Sequence, residues 1–310
     1  MKGNSIYGLV GYPVRHSLSP FMHNAAFRHM GISAYYTLFE VLPENLESFL
    51  LKDDTVKDIY GNSYPASEVC GFNITIPHKV KAKEILERAL SNIDDSVESQ
   101  TESYYVGFSG AVNTVKKEAQ GFRYWNTDAS GFLGSLREDL KFEPKGKTAL
   151  VIGCGGAGRA VIAALSCKGI QASKIYVYDV SPMALNSLFT HFNNFPHLRN
   201  IVEFITASFL YKAIDESHLL VNATPLGMKP DDNPPFDLSL LSRNKILYVF
   251  DLIYNRTTPL LEKAKELGLP AVGGLGMLLR QGMISFKLWT GQDAPADVMQ
   301  RALLEGGNNG

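Results

Sequence analysis

The feature that most constrains this chain is a short apolar run, Thr148-Ala149-Leu150-Val151-Ile152, followed at once by Gly153-Cys154-Gly155-Gly156-Ala157-Gly158. An uninterrupted apolar run of this length predicts a strand covered on both faces, as in parallel sheets. The glycine spacing then permits a sharp turn into the helix that the pattern predicts over Ala160 to Cys167. Glycines alone fit an ordinary strand-to-helix turn as well as a nucleotide-binding one. The next segment separates the two readings. Lys174-Ile175-Tyr176-Val177-Tyr178-Asp179 reads as a second strand ending in an acid, and Asp179 lies 21 residues beyond Gly158. An acid about 20 residues on is where adenosine ribose finds its hydrogen-bond acceptor. The combination predicts a Rossmann-type dinucleotide-binding unit. Its glycines let the backbone approach a pyrophosphate, and its helix N-terminus offers unpaired N–H groups to the phosphates. Asp179 accepts from ribose hydroxyls but repels a 2′-phosphate. No arginine follows it, only Val180, Ser181, Pro182 and Met183. NAD is thus the expected cofactor, with NADP the alternative.

A chain of 310 residues has room for two domains. Glu143-Pro144-Lys145-Gly146-Lys147 reads as the linker before the glycine-turn unit. Upstream, apolar runs again alternate with helical patterns. Ile6 to Gly11 reads as a strand, and Ser19-Pro20 as an N-cap and first position of a helix reaching about His29. Tyr35 to Val41 reads as a strand, Leu42 to Leu51 as a helix, and Gly71 to Ile76 as a strand before a helix that starts at Pro77-His78-Lys79. The alternation predicts an α/β fold with largely parallel sheets. Residues 52–69 and 91–105 read as polar and irregular, the latter an acidic loop with Asp94, Asp95, Glu98 and Glu102. Two helices are expected near the end, Gly276 to Trp289 and Ala294 to Leu304.

Composition excludes several classes. The formal net charge of −1 supplies no field to attract nucleic acid or an anionic membrane. Three cysteines without CxxC spacing suit neither a disulfide framework nor a zinc site, and no metal site is expected. No apolar stretch is long enough to span a bilayer, and the N-terminal run broken by Pro13 and Arg15 reads as a strand, not a signal peptide. A cytoplasmic location is expected.

Polar residues cluster at the ends of the upstream strands: Ser17 and Ser19, Asn73, Thr75 and Lys79, Asn113, then Asn126, Thr127 and Asp128. Each has an ordinary structural use as a helix cap, turn residue or solvated lysine. Together they suit a small, hydroxyl-rich anion. Here the chain resembles the shikimate dehydrogenase family, which includes quinate/shikimate dehydrogenases. The motifs run in family order over nearly the whole chain. They are Gly11-Tyr12-Pro13 with Ser17-Leu18-Ser19-Pro20, Asn73-Ile74-Thr75-Ile76-Pro77-His78-Lys79, and Gly110-Ala111-Val112-Asn113-Thr114. Next come Asn126-Thr127-Asp128-Ala129-Ser130-Gly131-Phe132, the glycine turn with Arg159-Ala160, and Val221-Asn222-Ala223-Thr224-Pro225-Leu226-Gly227-Met228. The last are Asp251-Leu252-Ile253-Tyr254 and Gly274-Leu275-Gly276-Met277-Leu278 with Gln281.

The resemblance implies a substrate-binding catalytic domain over 1–140, a dinucleotide-binding domain over 145–275, and residues 276–310 packing back on the first domain, with the reaction in the cleft between them. It implies Lys79 and Asp128 as the catalytic pair, and Ser17 and Ser19 on the substrate carboxylate. Asn73, Thr75, Asn113 and Gln281 would hold ring hydroxyls, and Tyr254 would lie close to the substrate. The dinucleotide site would comprise Gly153, Gly155, Gly156, Ala157, Gly158, Asp179, Asn222, Thr224 and Gly274. NADP-type members carry an Asn-Arg-Thr-like signature where this chain has Asp179-Val180-Ser181, in agreement with the charge argument for NAD. The segment between Leu51 and Gly71 is longer than in compact members. The implied activity interconverts shikimate and 3-dehydroshikimate by hydride transfer, in a monomer or homodimer. Quinate, with an added hydroxyl at C1, is the alternative substrate, and Ser19 leans toward shikimate because quinate-preferring members often have threonine there. A non-catalytic metabolite sensor on the same fold is the alternative of another class. The Lys79 and Asp128 pair, which a sensor need not keep, argues against it.

Overall fold

The computed structural model describes residues 5–89, 100–119 and 121–307. The chain divides into two compact units, Met1–Gly131 with Leu279–Gly310, and Phe132–Leu278.

In the first unit, β1 (Ser5–Gly11) leads to α1 (Ser19–His29), then to β2 (Ala34–Glu40) and α2 (Leu46–Leu51). A short hairpin, β3 (Thr55–Lys57) and β4 (Ser63–Pro65), precedes β5 (Val69–Ile74) and α3 (Lys79–Ala89). After α4 (Gln100–Ser109) come β6 (Thr114–Glu118), β7 (Gly121–Trp125) and the start of α5 (Asp128–Glu138). The sheet order is β2-β1-β5-β6-β7. β1 runs parallel to β2 and β5, whereas β6 runs antiparallel to both of its neighbours, β5 and β7. The sheet is therefore mixed, because β6 and β7 form a hairpin that needs no crossover helix. Val10, Phe39, Phe49, Phe72, Ile85 and Val115 are among the apolar side chains that α2 and α3 pack against it.

Of the two segments read as irregular, 52–69 is ordered, and the described part of the other, 100–105, is helical. Within 52–69, Asp58 accepts from Tyr60 N, Asn62 N, Asn62 Nδ2, Thr37 Oγ1 and Tyr64 OH, which closes the β3–β4 hairpin. Val56 and Tyr64 pack on the core, and Ile59 N donates to Leu38 O on the edge strand β2. Glu102 lies in helix α4, not in a loop, and its carboxylate accepts from Ser130 Oγ at 3.0 Å. Asp94, Asp95 and Glu98 lie outside the described residues. α1 starts at Ser19 with Leu18 as its N-cap, so the Ser19 hydroxyl is not consumed as the cap.

His23 on α1 is fully buried, stacks on Tyr36 at 4.5 Å, and neither ring nitrogen has a hydrogen-bond partner. Burial pushes its pKa down to about 3. The folded state thus binds this proton more weakly than the unfolded chain, where an imidazole titrates near its ordinary ~6.5. The stabilisation is complete above about pH 6.5 and declines toward pH 3, by at most about 1.4 kcal/mol per pH unit. Urea unfolding between pH 7 and 4 should show this slope reduced by about one proton in His23→Phe. An unchanged slope would assign the acid sensitivity elsewhere.

The second unit contains β8 (Thr148–Ile152), α6 (Gly156–Ser166), β9 (Lys174–Tyr178), α7 (Pro182–Phe192), β10 (Val202–Phe204) and α8 (Leu210–Glu216). It continues with β11 (Leu219–Asn222), β12 (Tyr248–Asp251), α9 (Pro259–Glu266) and β13 (Ala271–Val272). The strand order is β10-β9-β8-β11-β12-β13, all parallel. This is the doubly wound Rossmann arrangement, with its order reversing at β8. Leu150, Ile152, Leu220, Val249 and Leu260 lie in its core. The division between the units falls inside α5, not at the Glu143–Lys147 linker. Phe132 packs on Phe250 at 5.0 Å and Phe142 on Tyr248 at 5.0 Å, which ties the rest of α5 and the following loop to β12.

α10 (Leu275–Thr290) begins at the end of the second unit and continues in the first, which also contains α11 (Ala296–Gly307). Trp289 Nε1 donates to Val115 O on β6, and Phe286 packs on Phe27 of α1. Gly306 of α11 lies against the Phe21 ring, where a Cβ would come within 2.6 Å.

Candidate functional site

In the first unit, the candidate residues gather where β1, β5 and β7 lead into the helices that follow them, and beside Asn113 just before β6. Lys79 is the first residue of α3 and Asp128 the first of α5. Their side chains meet with Nζ 2.5 Å from Oδ2, only 11% and 7% exposed. Asn113 Nδ2 donates to the other carboxylate oxygen of Asp128 at 2.9 Å, so both oxygens are held. Lys79 is anchored through its backbone as well, its carbonyl accepting from Val112 N. His78 Nε2 lies 2.6 Å from Val41 O, which pins the turn before α3, and burial lowers the pKa of this imidazole.

The asparagines are spent inside the protein. Asn113 Oδ1 accepts from Thr127 N at 2.7 Å, and its Nδ2 also donates to Thr127 Oγ1 at 2.9 Å and to Gln281 Oε1 at 3.5 Å. Asn73 Oδ1 accepts from Tyr36 OH, while its Nδ2 donates to Thr114 Oγ1 and Ser285 Oγ, each at 3.0 Å. Both residues are buried. Their geometry suits bracing the Lys79–Asp128 pair and the strand ends around it. Tyr36, Thr114 and Ser285 belong to this framework, although the sequence reading singled out none of them as a site residue. Ser285 had one usable signal: it stands four residues from Gln281, on the same helix face. Ser17 and Ser19 are buried at the start of α1, where Ser19 N donates to Ser17 Oγ at 3.2 Å. Among the described residues the hydroxyls of Ser19 and Thr75 take part in no hydrogen bond, unlike the asparagine amides.

In the second unit the glycine turn shows why each glycine is there. Gly153 has φ +106°, and a Cβ on Gly158 would sit 1.9 Å from Gly153 O. Those two positions exclude a side chain for internal reasons. Gly155 differs: its Cβ would meet nothing within 4 Å. Space that a methyl group would fill, beside the first turn of α6 where Gly156, Ala157 and Gly158 lie, fits a phosphate approached by backbone N–H groups. Asp179 follows β9 at once. Its Oδ2 accepts from Cys154 N at 2.7 Å and its Oδ1 from Ser181 N at 2.8 Å, so the carboxylate is oriented by backbone and each oxygen keeps a lone pair. The Cys154 thiol is buried and pushed up to about 12, chiefly by burial and then by Asp179, which keeps it inert. Arg159 ties the turn to α7, donating to Cys154 O and Ser187 Oγ.

Asn222 ends β11 fully buried, accepting from Thr224 N and Oγ1. Its amide orders the following loop. Gly274 passes so close to Leu252 that a Cβ would sit 2.1 Å from its carbonyl oxygen. Tyr254 lies in this unit, on the loop after β12. No group of three or more potential metal ligands occurs among the described residues, and none of their helices is long and apolar enough to cross a membrane.

A parallel doubly wound unit with this turn and acid, in one chain with an α/β unit holding a buried lysine–carboxylate pair, defines the class of dinucleotide-dependent oxidoreductases. Known proteins narrow the class. Residues 9–115 match the shikimate dehydrogenase substrate binding domain, and residues 274–304 match the shikimate 5'-dehydrogenase C-terminal domain. A shikimate dehydrogenase (NADP(+)) of Methanopyrus kandleri is 35% identical, covering 97% of this chain and 95% of its own. The crystal structure of shikimate dehydrogenase from Aquifex aeolicus superposes with a TM-score of 0.75 at 36% identity, over 96% of this chain and 97% of the other. The shikimate 5-dehydrogenase of Listeria monocytogenes, solved in complex with shikimate and NAD, gives a TM-score of 0.75 at 28% identity, over 96% of each chain. The chain belongs to the shikimate dehydrogenase family.

Proposed function

We propose that this protein interconverts shikimate and 3-dehydroshikimate with a nicotinamide dinucleotide, NAD in preference to NADP. The observation that carries the reading is the buried Lys79–Asp128 pair at 2.5 Å, its carboxylate braced from the other side by Asn113. Such a pair can hold an amine at a fixed place and pass a proton. When bound, the dinucleotide takes or gives the hydride at its nicotinamide C4. Lys79 gives the proton that a nascent alkoxide needs in reduction, and takes it from the hydroxyl in oxidation. Asp128 keeps the Lys79 amine in place and accepts from a substrate hydroxyl. Ser17 and Ser19 bind the carboxylate, Thr75 and Gln281 take ring hydroxyls, and Tyr254 lies against the substrate. Asn73 and Asn113 act by holding these groups in position.

Gly153, Gly155, Gly156, Ala157 and Gly158 receive the pyrophosphate, with Thr224 and Gly274 shaping the same site and Asn222 ordering its loop. The preference for NAD rests on Asp179 and on Val180, which is exposed where NADP-type members carry arginine. A 2′-phosphate about 5 Å from this carboxylate would cost about 3 kcal/mol at an effective dielectric of ~20, roughly 10²-fold in kcat/KM. The curated relative above is named for NADP(+), so the choice is open to direct measurement. Steady-state kinetics with shikimate and quinate, each with NAD and NADP, should show shikimate with NAD as the best combination. The double variant Asp179→Asn, Val180→Arg should shift the ratio toward NADP by about the same 10²-fold. A wild-type preference for NADP would overturn the reading of Asp179, and turnover with neither acid would overturn the proposed activity.

A further inference from the structure

Asp251, the last residue of β12, is fully buried in the second unit and has no part in the chemistry above. Removing a carboxylate from water costs several kcal/mol unless donors converge on it. Here they come from three chain segments. Asn222 Nδ2, at the end of β11, donates to Oδ1 at 3.0 Å. Ile253 N, on the loop leading to Tyr254, donates to the same oxygen at 3.2 Å. Thr258 Oγ1, the N-cap of α9, donates to Oδ2 at 2.6 Å. The contacts continue outward: Asn222 Oδ1 accepts from Thr224 N at 3.1 Å and Oγ1 at 2.7 Å, and Thr224 Oγ1 accepts from Leu226 N at 3.2 Å. One side chain that only accepts stands at the root of two loops, 222–228 and 252–258. An asparagine would turn its Nδ2 either toward Thr258 Oγ1, which must then accept instead of donate, or toward Asn222 Nδ2 and Ile253 N, which cannot accept.

We infer that Asp251 is a positioning residue, whose carboxylate sets the conformation of the Thr224 loop and the Tyr254 loop together. Those loops rise from the C-terminal ends of adjacent parallel strands, the edge at which such sheets bind ligands. The hydrogen bonds of Asp179, to Cys154 N and Ser181 N, do not involve it, whereas Gly153 of the glycine turn lies against Ala223 and Thr224. Losing Asp251 should therefore loosen the two loops while helix α6 and the backbone contacts of Asp179 stay ordered. The consequence for catalysis rests on the activity proposed above. The consequence for the loops does not.

The test is Asp251→Asn in the full chain, with Asn222→Asp/Asp251→Asn as the polarity-swapped partner. Hydrogen exchange should speed up at Thr224, Leu226 and Ile253 in the single variant, remain unchanged over 156–166, and partly recover in the swap. The dissociation constant for NAD alone should rise by about 3- to 10-fold, because the Thr224 loop borders the pyrophosphate site, while kcat with shikimate falls further, roughly 10²-fold, the scale of a misplaced contact. Recovery of kcat in the swap would follow the exchange. Unchanged exchange in the two loops overturns the inference, and so does a loss of NAD affinity equal to the loss of kcat, which would mean general collapse of the unit. If the wild type turns over neither acid, the proposed activity fails, and the exchange data alone decide the role of Asp251.

Discussion

Replacing Lys79 by alanine is expected to lower kcat for shikimate about 10²- to 10⁴-fold while KM changes by a few-fold at most, the signature of a lost proton donor and acceptor. The carboxylate contacts assigned to Ser17 and Ser19 do not involve Lys79, so ground-state binding survives. The variant also leaves the Asp128 carboxylate buried without its cation. Breaking one side of such a pair costs about 3–5 kcal/mol, and the Asn113 bond that remains should keep the loss toward the low end. Thermal melts must accompany the kinetics, with assays run well below the variant's Tm. Asp128→Asn is the companion, because it keeps the shape and removes the charge that orients the amine. If the two residues act as one unit, Lys79→Ala/Asp128→Asn should be little slower than the worse single variant. A folded Lys79→Ala enzyme with near-native kcat would remove Lys79 from the mechanism.

Two alanine substitutions in one turn should fail in opposite ways. Gly158→Ala places a Cβ 1.9 Å from the Gly153 carbonyl oxygen, and no rotamer relieves an overlap with backbone. α6 must move away from the end of β8, at an expected cost of about 3 kcal/mol or more, with loss of dinucleotide binding. Gly155→Ala meets nothing: its backbone, φ −66° and ψ −179°, is open to any residue, and the Cβ enters empty space. Its Tm without ligand should stay within about 2 °C of wild type, as for a substitution touching no packed atom. Its affinity for NAD should fall roughly 10²-fold, because the methyl group takes the place of a phosphate at a site that needs close backbone approach. Melting curves with and without NAD separate the two outcomes. Wild-type affinity in Gly155→Ala would mean that the phosphates lie elsewhere.

Much of the fold was legible because its signals are local. The apolar run at Thr148–Ile152, the glycines and the acid at the end of β9 each need only their neighbours in the chain. The β3–β4 hairpin was not legible. Its order comes from Asp58 gathering donors from Thr37, Tyr60, Asn62 and Tyr64, and only the last three are near in sequence. β6 and β7 escaped for a similar reason: Lys116, Lys117 and Arg123 break the apolar pattern of a hairpin packed on one face.

The site divides in the same way. Sequence by itself determined the dinucleotide turn, the charge next to the ribose position, and the hydroxyls and amides at strand ends, because residue type decides what each group can donate, accept or repel. Only the tertiary structure decided which of those groups are already spent. Asn73 bonds Tyr36 and Ser285, 37 and 212 residues away, and Asn113 bonds Asp128 across the ends of β6 and β7. A hydrogen bond forms with whatever the fold brings within about 3 Å, whatever the distance along the chain. Asn113, read as a substrate ligand, also holds Asp128, Asn73 is hydrogen-bonded to Tyr36, Thr114 and Ser285, and an aspartate noted only as part of a motif stands beneath two loops.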